Sequence, residues 1–498
     1  MLEQLLSELS HPGRSAASLP ETDVPATPLP HGFLRDDLPL PELSELEVVR
    51  HYTHLSHLNF TVDIGFYPLG SCTMKYNPKV DDVAASLPGF VNLHPLQPAE
   101  STQGAMALML NLQRLLSEIG GFAATSLLPA AGAQGELTGI LMMRKYLYDR
   151  GETQRNLVLV PDSAHGTNPA TTAMSGLKVM QIPSDLRGNV DLEALRTLVA
   201  EHGSRLIGLM LTNPNTLGLF DEHLREVLAL VHDAGGLVYG DGANLNALLG
   251  KVKPGEMGFD VMHFNLHKTF ATPHGGGGPG AGTVSASAAL ADYLPGPIVG
   301  EADGTLQWVM PAHSIGRMKS FYGNFSVLVH AYTYIRMLGA DGLRAVSENA
   351  VLNANYLQAR VKEILPVPYG DRLCMHEFVA QGNIPGAPGV HTLDIAKRII
   401  DFGMHPPTIY FPLIVPEALM IEPTETEDKE TLDYFADTLA KIAEEARTNP
   451  DLLHTAPHNA PLHRLDEVKA ARSPKLCDTG CTPTTHAPER KEDGRRAA

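Results

Sequence analysis

The strongest regularity in the chain is an alternation, from about residue 100 to 290, of short apolar runs with longer stretches whose apolar positions recur at helical spacing. The runs are Asn156 to Val160 (NLVLV), Leu206 to Leu211 (LIGLML), Gly236 to Gly240 (GLVYG) and Phe259 to Phe264 (FDVMHF). Their Val, Ile, Phe and Tyr content predicts strands. Between the second and third, Leu224, Val227, Leu228 and Val231 mark one face of a helix that stops at Gly235 and Gly236. Leu137, Ile140, Leu141 and Leu147 in turn predict the buried face of a helix within PAAGAQGELTGILMMRKYL. Strands alternating with helices in this way define an α/β domain with a largely parallel sheet.

The pattern changes on either side. Residues 1–60 are rich in Pro and acidic side chains and read as an N-terminal arm, with a short helix near Glu42 to Leu58, suited to wrapping a partner surface. Residues 61–330 form the large domain. A helical stretch near Ser326 to Leu338 leads into a smaller C-terminal α+β domain over 331–455, and 456–498 reads as an extended, disordered tail.

Composition narrows the partners. With 38 basic against 56 acidic residues the formal charge is −18, which opposes binding to nucleic acid or anionic membranes. No apolar stretch approaches the roughly 18 residues needed to cross a bilayer. Four cysteines, Cys72, Cys374, Cys477 and Cys481, make no disulfide framework in 498 residues and fit a reducing cytoplasm. Cys477 and Cys481 with His486 offer three soft ligands in the tail, and His51, His54 and His57 recur at three-residue spacing in the arm. Neither group is assigned a metal; the arm histidines read as surface or interface residues.

The loops after the four apolar runs carry the candidate chemistry: PDSAHGTNPA, TNPNTLG, DGANLNA and NLHKTF. In an open α/β sheet, ligands bind beyond the carboxyl ends of the strands, so His165, Asn213, Asp241 and Lys268 should converge. Pyridoxal phosphate needs an amine for its aldehyde, an acid for its ring nitrogen, a flat or small group on each ring face and donors for its phosphate. Lys268 supplies the amine and Asp241 the acid. His165 is placed to stack on one ring face, with small Ala243 on the other. Gly132, Ala133 and Gln134 begin a helix whose N–H groups attract an anion, and His267 adds a donor. Singly, each has an ordinary structural reading; the order of Asp241 and Lys268, one short helix-strand unit apart, is the specific signal. HGGGGPG lacks the Lys-Ser/Thr of a nucleotide-binding loop.

Several long motifs carry a family resemblance. GFYPLGSCTMKYNP, HPLQPAESTQGA, AGAQGE, SAHGTNPA, LTNPNTLGLF, DGANLNA, NLHKTF and YFPLIVPEALMIEPTETE span most of residues 45 to 470. They resemble the pyridoxal-phosphate-bearing subunit of the split glycine cleavage system P-protein, glycine dehydrogenase (decarboxylating) subunit 2. The resemblance implies the aspartate aminotransferase-like fold, fold type I, with Lys268 matching the lysine that carries the cofactor. It also implies decarboxylation of glycine, transfer of the aminomethyl group to the lipoyl group of H-protein, and a separate subunit 1 as partner. Two rivals stay open on the sequence: another fold type I decarboxylase or aminotransferase, and a non-catalytic scaffolding subunit, against which Lys268 and Asp241 speak. In GFYPLGSCTMKYNP, the donors Ser71, Cys72 and Thr73 beside Lys75 suggest a loop lining the substrate side of the pocket, with Lys75 near the glycine carboxylate.

Overall fold

A computed structural model describes residues 3–30, 32–34, 38, 40–274 and 280–474. Its centre is a seven-stranded sheet: β1 (Ala124–Ser126), β2 (Leu157–Pro161), β3 (Lys178–Ile182), β4 (Leu206–Thr212), β5 (Leu237–Gly242), β6 (Val261–Asn265) and β7 (Gly282–Ala286). The spatial order is β1-β7-β6-β5-β4-β2-β3. The pairs among β2 to β6 are parallel, and β7 alone runs against its neighbours β6 and β1. The four apolar runs are β2, β4, β5 and β6, with bounds displaced from the expected ones by at most two residues.

Both faces of this sheet are covered, which explains why its strands read as continuous apolar runs. Leu209, Leu211, Val238, Met262 and Phe264 enter one core, while Ile207, Met210, Tyr239 and Val261 enter the core on the opposite face. The helix Leu224–Asp233 buries Leu224, Val227, Leu228 and Val231 as expected.

The helix Gly132–Asp149 differs from expectation. It buries Ile140 and Leu147, but Leu137 and Leu141 are only half-buried, and its innermost positions include Gly135, Glu136 and Gly139. A side chain at Gly139 would overlap the Tyr239 ring, so small residues bring this helix close to the sheet. Close approach, rather than an apolar stripe, sets its orientation.

A two-stranded hairpin, β8 (Ile298–Ala302) and β9 (Thr305–Val309), precedes a long helical stretch, Phe325–Val361, that is interrupted at Gly339 (φ 63°). Beyond it lies a small antiparallel sheet, β10 (Phe378–Gln381), β11 (Thr408–Ile409) and β12 (Ala418–Ile421), in the order β10-β12-β11. Helices Thr392–Ile400 and Lys429–Thr448 share its core through Ile395, Ile399, Phe435, Leu439 and Ile442. The segment Pro68–Gly70 lies against this sheet: Leu69 bridges Ile421, and the Thr408 hydroxyl donates to the Gly70 carbonyl at 2.9 Å.

Contacts set apart a second unit, formed from the described parts of residues 1–60 and 460–474, from residues 61–459. In it Ser44 caps the helix Glu45–His57, accepting from the Glu47 N–H. His51 and His54 of that helix face Glu3, at 3.4 and 3.1 Å. The Cys477, Cys481 and His486 group lies outside the described residues, as does Gly275 to Pro279 of the glycine-rich run.

Candidate active site

Parallel strands β2, β4, β5 and β6 present their carboxyl ends to one side of the sheet, and three of the four expected side chains meet there. Asp241 is the penultimate residue of β5, His165 is in the loop after β2, and Lys268 is in the one-turn helix Leu266–Thr269 that follows β6. They line a cavity of about 490 Å³ together with Gly132, Ala133, Glu136, Gly166, Thr167, Ala243, His263, Asn265, His267 and Phe411.

Asp241 is the electrostatic anchor. Its carboxylate accepts from His165 Nδ1 at 3.0 Å, Asn168 Nδ2 at 3.1 Å and the Ala243 N–H at 3.0 Å. Burial alone would raise its pKa, but the His165 and His263 charges and these hydrogen bonds hold it well below the usual carboxylate range. A permanent anion therefore sits at the floor of the cavity. Because an ionised Asp241 can only accept, His165 carries a proton on Nδ1, and its Nε2 faces the Ser71 hydroxyl at 2.5 Å. The His165 ring lies nearly parallel to Phe411, with centroids 6.4 Å apart and planes inclined by 14°.

Gly132 and Ala133 open the 18-residue helix beneath the cavity, where first-turn N–H groups lack partners within the helix. A Cβ at Gly132 would overlap Asn265 Nδ2. His267 is kept neutral, its pKa pushed down to about 3 by burial and then by the charges of His274 and Lys268. Its Nδ1 accepts from the Ala281 N–H at 3.3 Å, so the remaining ring proton is on Nε2 as a donor.

Two expected residues are placed elsewhere. Gln134 turns away from the cavity: its Oε1 accepts from the Ala130 N–H at 2.6 Å and its Nε2 donates to the Met318 carbonyl at 2.7 Å, holding the turn into the helix. Asn213 is buried, with its Oδ1 accepting from the Asp221 N–H at 3.0 Å. Its amide serves the loop after β4.

The Ser71–Lys75 loop divides. Ser71 reaches His165, and the half-buried Cys72 lies close enough to Lys268 for that charge to offset part of the burial that raises its thiol pKa. Thr73 instead points to Glu422, donating from its hydroxyl at 2.6 Å and its N–H at 3.0 Å. The expectation that Lys75 faces a substrate carboxylate is corrected. Its ammonium is wholly enclosed, donating to Glu425 at 2.8 Å, Asn246 Oδ1 at 2.8 Å and Tyr334 at 3.2 Å. Burial pulls its pKa down, but the Glu425 charge and Tyr334 more than reverse this, so it remains a buried cation with its own counter-ion.

The sequence reading missed a buried acidic group beside the cavity. Glu377, just before β10, accepts from the Ser71 N–H at 2.6 Å, and Glu422, just after β12, holds Thr73. His376 lies 4.0 and 3.8 Å from these two carboxylates and is held neutral, its pKa lowered to about 3 by burial and then by Lys268. Burial and then the Glu422 charge push Glu377 well above the ordinary range; burial likewise raises Glu422, to about 7. The only sequence signal was a charged residue abutting each of two short apolar runs. Glu136, with its pKa up at about 7 through burial and then Asp241, was also missed; Thr167 and Thr171 donate to it.

Fold and donor set together define a fold type I pyridoxal-phosphate enzyme. The solved structures similar to this chain include a glycine decarboxylase (P-protein) of the glycine cleavage system in inhibitor-bound form, with TM-score 0.70 and 22% identity over 83% of this chain and 93% of that one. A cysteine desulfurase from Thermococcus onnurineus NA1 matches with TM-score 0.59 and 16% identity, covering 76% and 95%. The family model described as glycine cleavage system P-protein matches residues 18–309, and that for the glycine dehydrogenase C-terminal domain matches 346–462. The probable glycine dehydrogenase (decarboxylating) subunit 2 of Desulforamulus reducens is 58% identical over 95% of this chain and 99% of its own length. Its counterpart in Thermotoga maritima is 55% identical over 94% and 98%. The chain belongs to the glycine cleavage system P-protein family, among the subunit 2 proteins. The cofactor of that family fits the residues present: one amine, a permanent buried anion, a stackable imidazole, and a helix start kept open by Gly132.

Proposed function

We infer that this chain decarboxylates glycine and passes the aminomethyl group to the lipoyl group of H-protein, working with a subunit 1 partner. The observation that carries this reading is the convergence of Lys268, Asp241 and His165 on one cavity in a chain of this family. Pyridoxal phosphate, when bound, supplies the electron sink that accepts the pair left by the departing carboxylate. The protein's part is attachment, charge and orientation. Lys268 offers its Nζ as the attachment atom. Asp241 would set its negative charge against the ring nitrogen and so keep a proton on it. His165 would cover one ring face and Ala243 would leave room on the other. The first N–H groups of the helix at Gly132 and Ala133 and the Nε2–H of His267 would hold the phosphate. Cys72, close to Lys268, would lie toward the substrate side.

Among the described residues no helix is long and apolar enough to cross a membrane. We place the chain in the cytoplasm, a reading supported by the free thiols Cys72 and Cys374. The test of the reaction is exchange of labelled bicarbonate into the carboxyl group of glycine, with lipoylated H-protein and the partner subunit present. Label should enter glycine only when all components are present; no exchange, or equal exchange into a larger amino acid, would overturn the reading.

A further inference from the structure

The Ser71 hydroxyl joins two parts of the protein that are far apart in sequence. On one side it meets His165 Nε2 at 2.5 Å, and through that ring Asp241; on the other, its own N–H is held by Glu377 at 2.6 Å. The backbone at Ser71 is left-handed (φ 63°), as it is at Thr73 (φ 47°), conformations that side-chain-bearing residues rarely adopt. Something must hold each of them. Glu377 and Glu422, both wholly buried, are what the structure provides, each accepting from the N–H of one left-handed residue. The loop is also seated on the small sheet through the Leu69 bridge to Ile421 and the Thr408 bond to Gly70.

We propose that Ser71 and Glu377 are positioning residues for His165: Glu377 fixes the left-handed Ser71 backbone, so that the Ser71 hydroxyl and Asp241 between them lock the imidazole plane. This rests on the reading that His165 lies over the cofactor ring. Asp241 accepts the Nδ1 proton and the Ser71 hydroxyl, which can donate or accept, pairs with Nε2, so both ring nitrogens are engaged in the plane of the imidazole. With both ring nitrogens tied in the plane, the ring cannot spin about χ2, and its face is the surface left to a ligand. Glu377 does not line the cavity; it acts through Ser71, and it sits just before β10 of the small sheet while His165 and Asp241 sit at strand ends of the seven-stranded sheet.

The test uses the cofactor-loaded chain with its partner subunit and reads the visible circular dichroism of bound pyridoxal phosphate alongside kcat and KM for the exchange. Ser71→Ala should diminish the dichroic band and lower kcat roughly tenfold with little change in KM, as small displacements of positioned groups do. Ser71→Gly, which relaxes the backbone while removing the same hydroxyl, should match it. Glu377→Asp, whose shorter carboxylate withdraws from the Ser71 N–H, should resemble Ser71→Ala. Glu377→Gln keeps the acceptor and the shape and should stay close to the parent. Wild-type dichroism and kcat in Ser71→Ala, in a background where His165→Ala abolishes the band, would overturn the positioning role and leave His165 over the ring. A band unchanged in His165→Ala would instead sink the underlying reading. Glu377→Gln failing as badly as Glu377→Asp would remove Glu377 from the chain of contacts.

Discussion

His165 Nδ1 and Asp241 Oδ2 lie 3.0 Å apart, joining the loop after β2 to the end of β5. His165 follows β2 and Asp241 lies near the end of β5, the two strands that flank β4. Asp241→Asn should therefore act on rate more than on retention. Loss of the fixed charge is expected to lower exchange about 10²- to 10³-fold, the usual scale for removing a preorganised electrostatic group. Cofactor affinity should fall far less. Equal losses in both, from cofactor titration and exchange kinetics, would contradict the charge role.

Lys75 gives a prediction of a different kind. Its ammonium and Glu425 are both buried and paired at 2.8 Å, so truncating one partner strands the other. Lys75→Ala should cost about 3–5 kcal/mol in urea denaturation. KM for glycine should be unchanged in whatever fraction stays folded, because the ammonium does not face the cavity.

At Gly132 the prediction concerns the phosphate. A Cβ there would overlap Asn265 Nδ2, and overpacking of this kind costs about 1–3 kcal/mol. Since the strain falls on the helix start, Gly132→Ala should weaken pyridoxal phosphate binding roughly tenfold. Fluorescence titration of the cofactor-free chain measures it, and unchanged affinity would move the phosphate elsewhere.

Glu136 fixes a pH dependence. Burial and then Asp241 raise its pKa from 4.5 to about 7, so the folded chain binds this proton more tightly than the unfolded chain. The stability this group contributes is complete below about pH 4.5 and is lost as the pH rises to about 7. Glu377 and Glu422 titrate in the same sense, so the comparison must be with Glu136→Gln. The variant's denaturation midpoint should fall less than the parent's across that window; parallel curves would contradict the raised pKa.

The sheet was legible because both faces of β2, β4, β5 and β6 are buried, which writes four unbroken apolar runs into the sequence. Lys268, Asp241 and His165 followed from the rule that strand ends gather ligands. The long helical stretch was read only to Leu338 because Gly339 is a stop signal; in the structure the helix resumes beyond it. Glu377 and Glu422 escaped notice because they meet Ser71 and Thr73 across roughly three hundred residues of chain, a contact that no local pattern encodes. Lys75 was misplaced for the same reason: its neighbours in sequence are small donors, whereas its counter-ion is Glu425.

The central claim, that Lys268 carries the cofactor in the cavity floored by Asp241, is tested most directly by reducing the loaded chain with borohydride and locating the modified peptide by mass spectrometry. The account predicts a single phosphopyridoxyl group on Lys268, and loss of the visible cofactor band in Lys268→Ala. A modified lysine elsewhere, or a chain that binds no cofactor when its partner subunit is present, would contradict it.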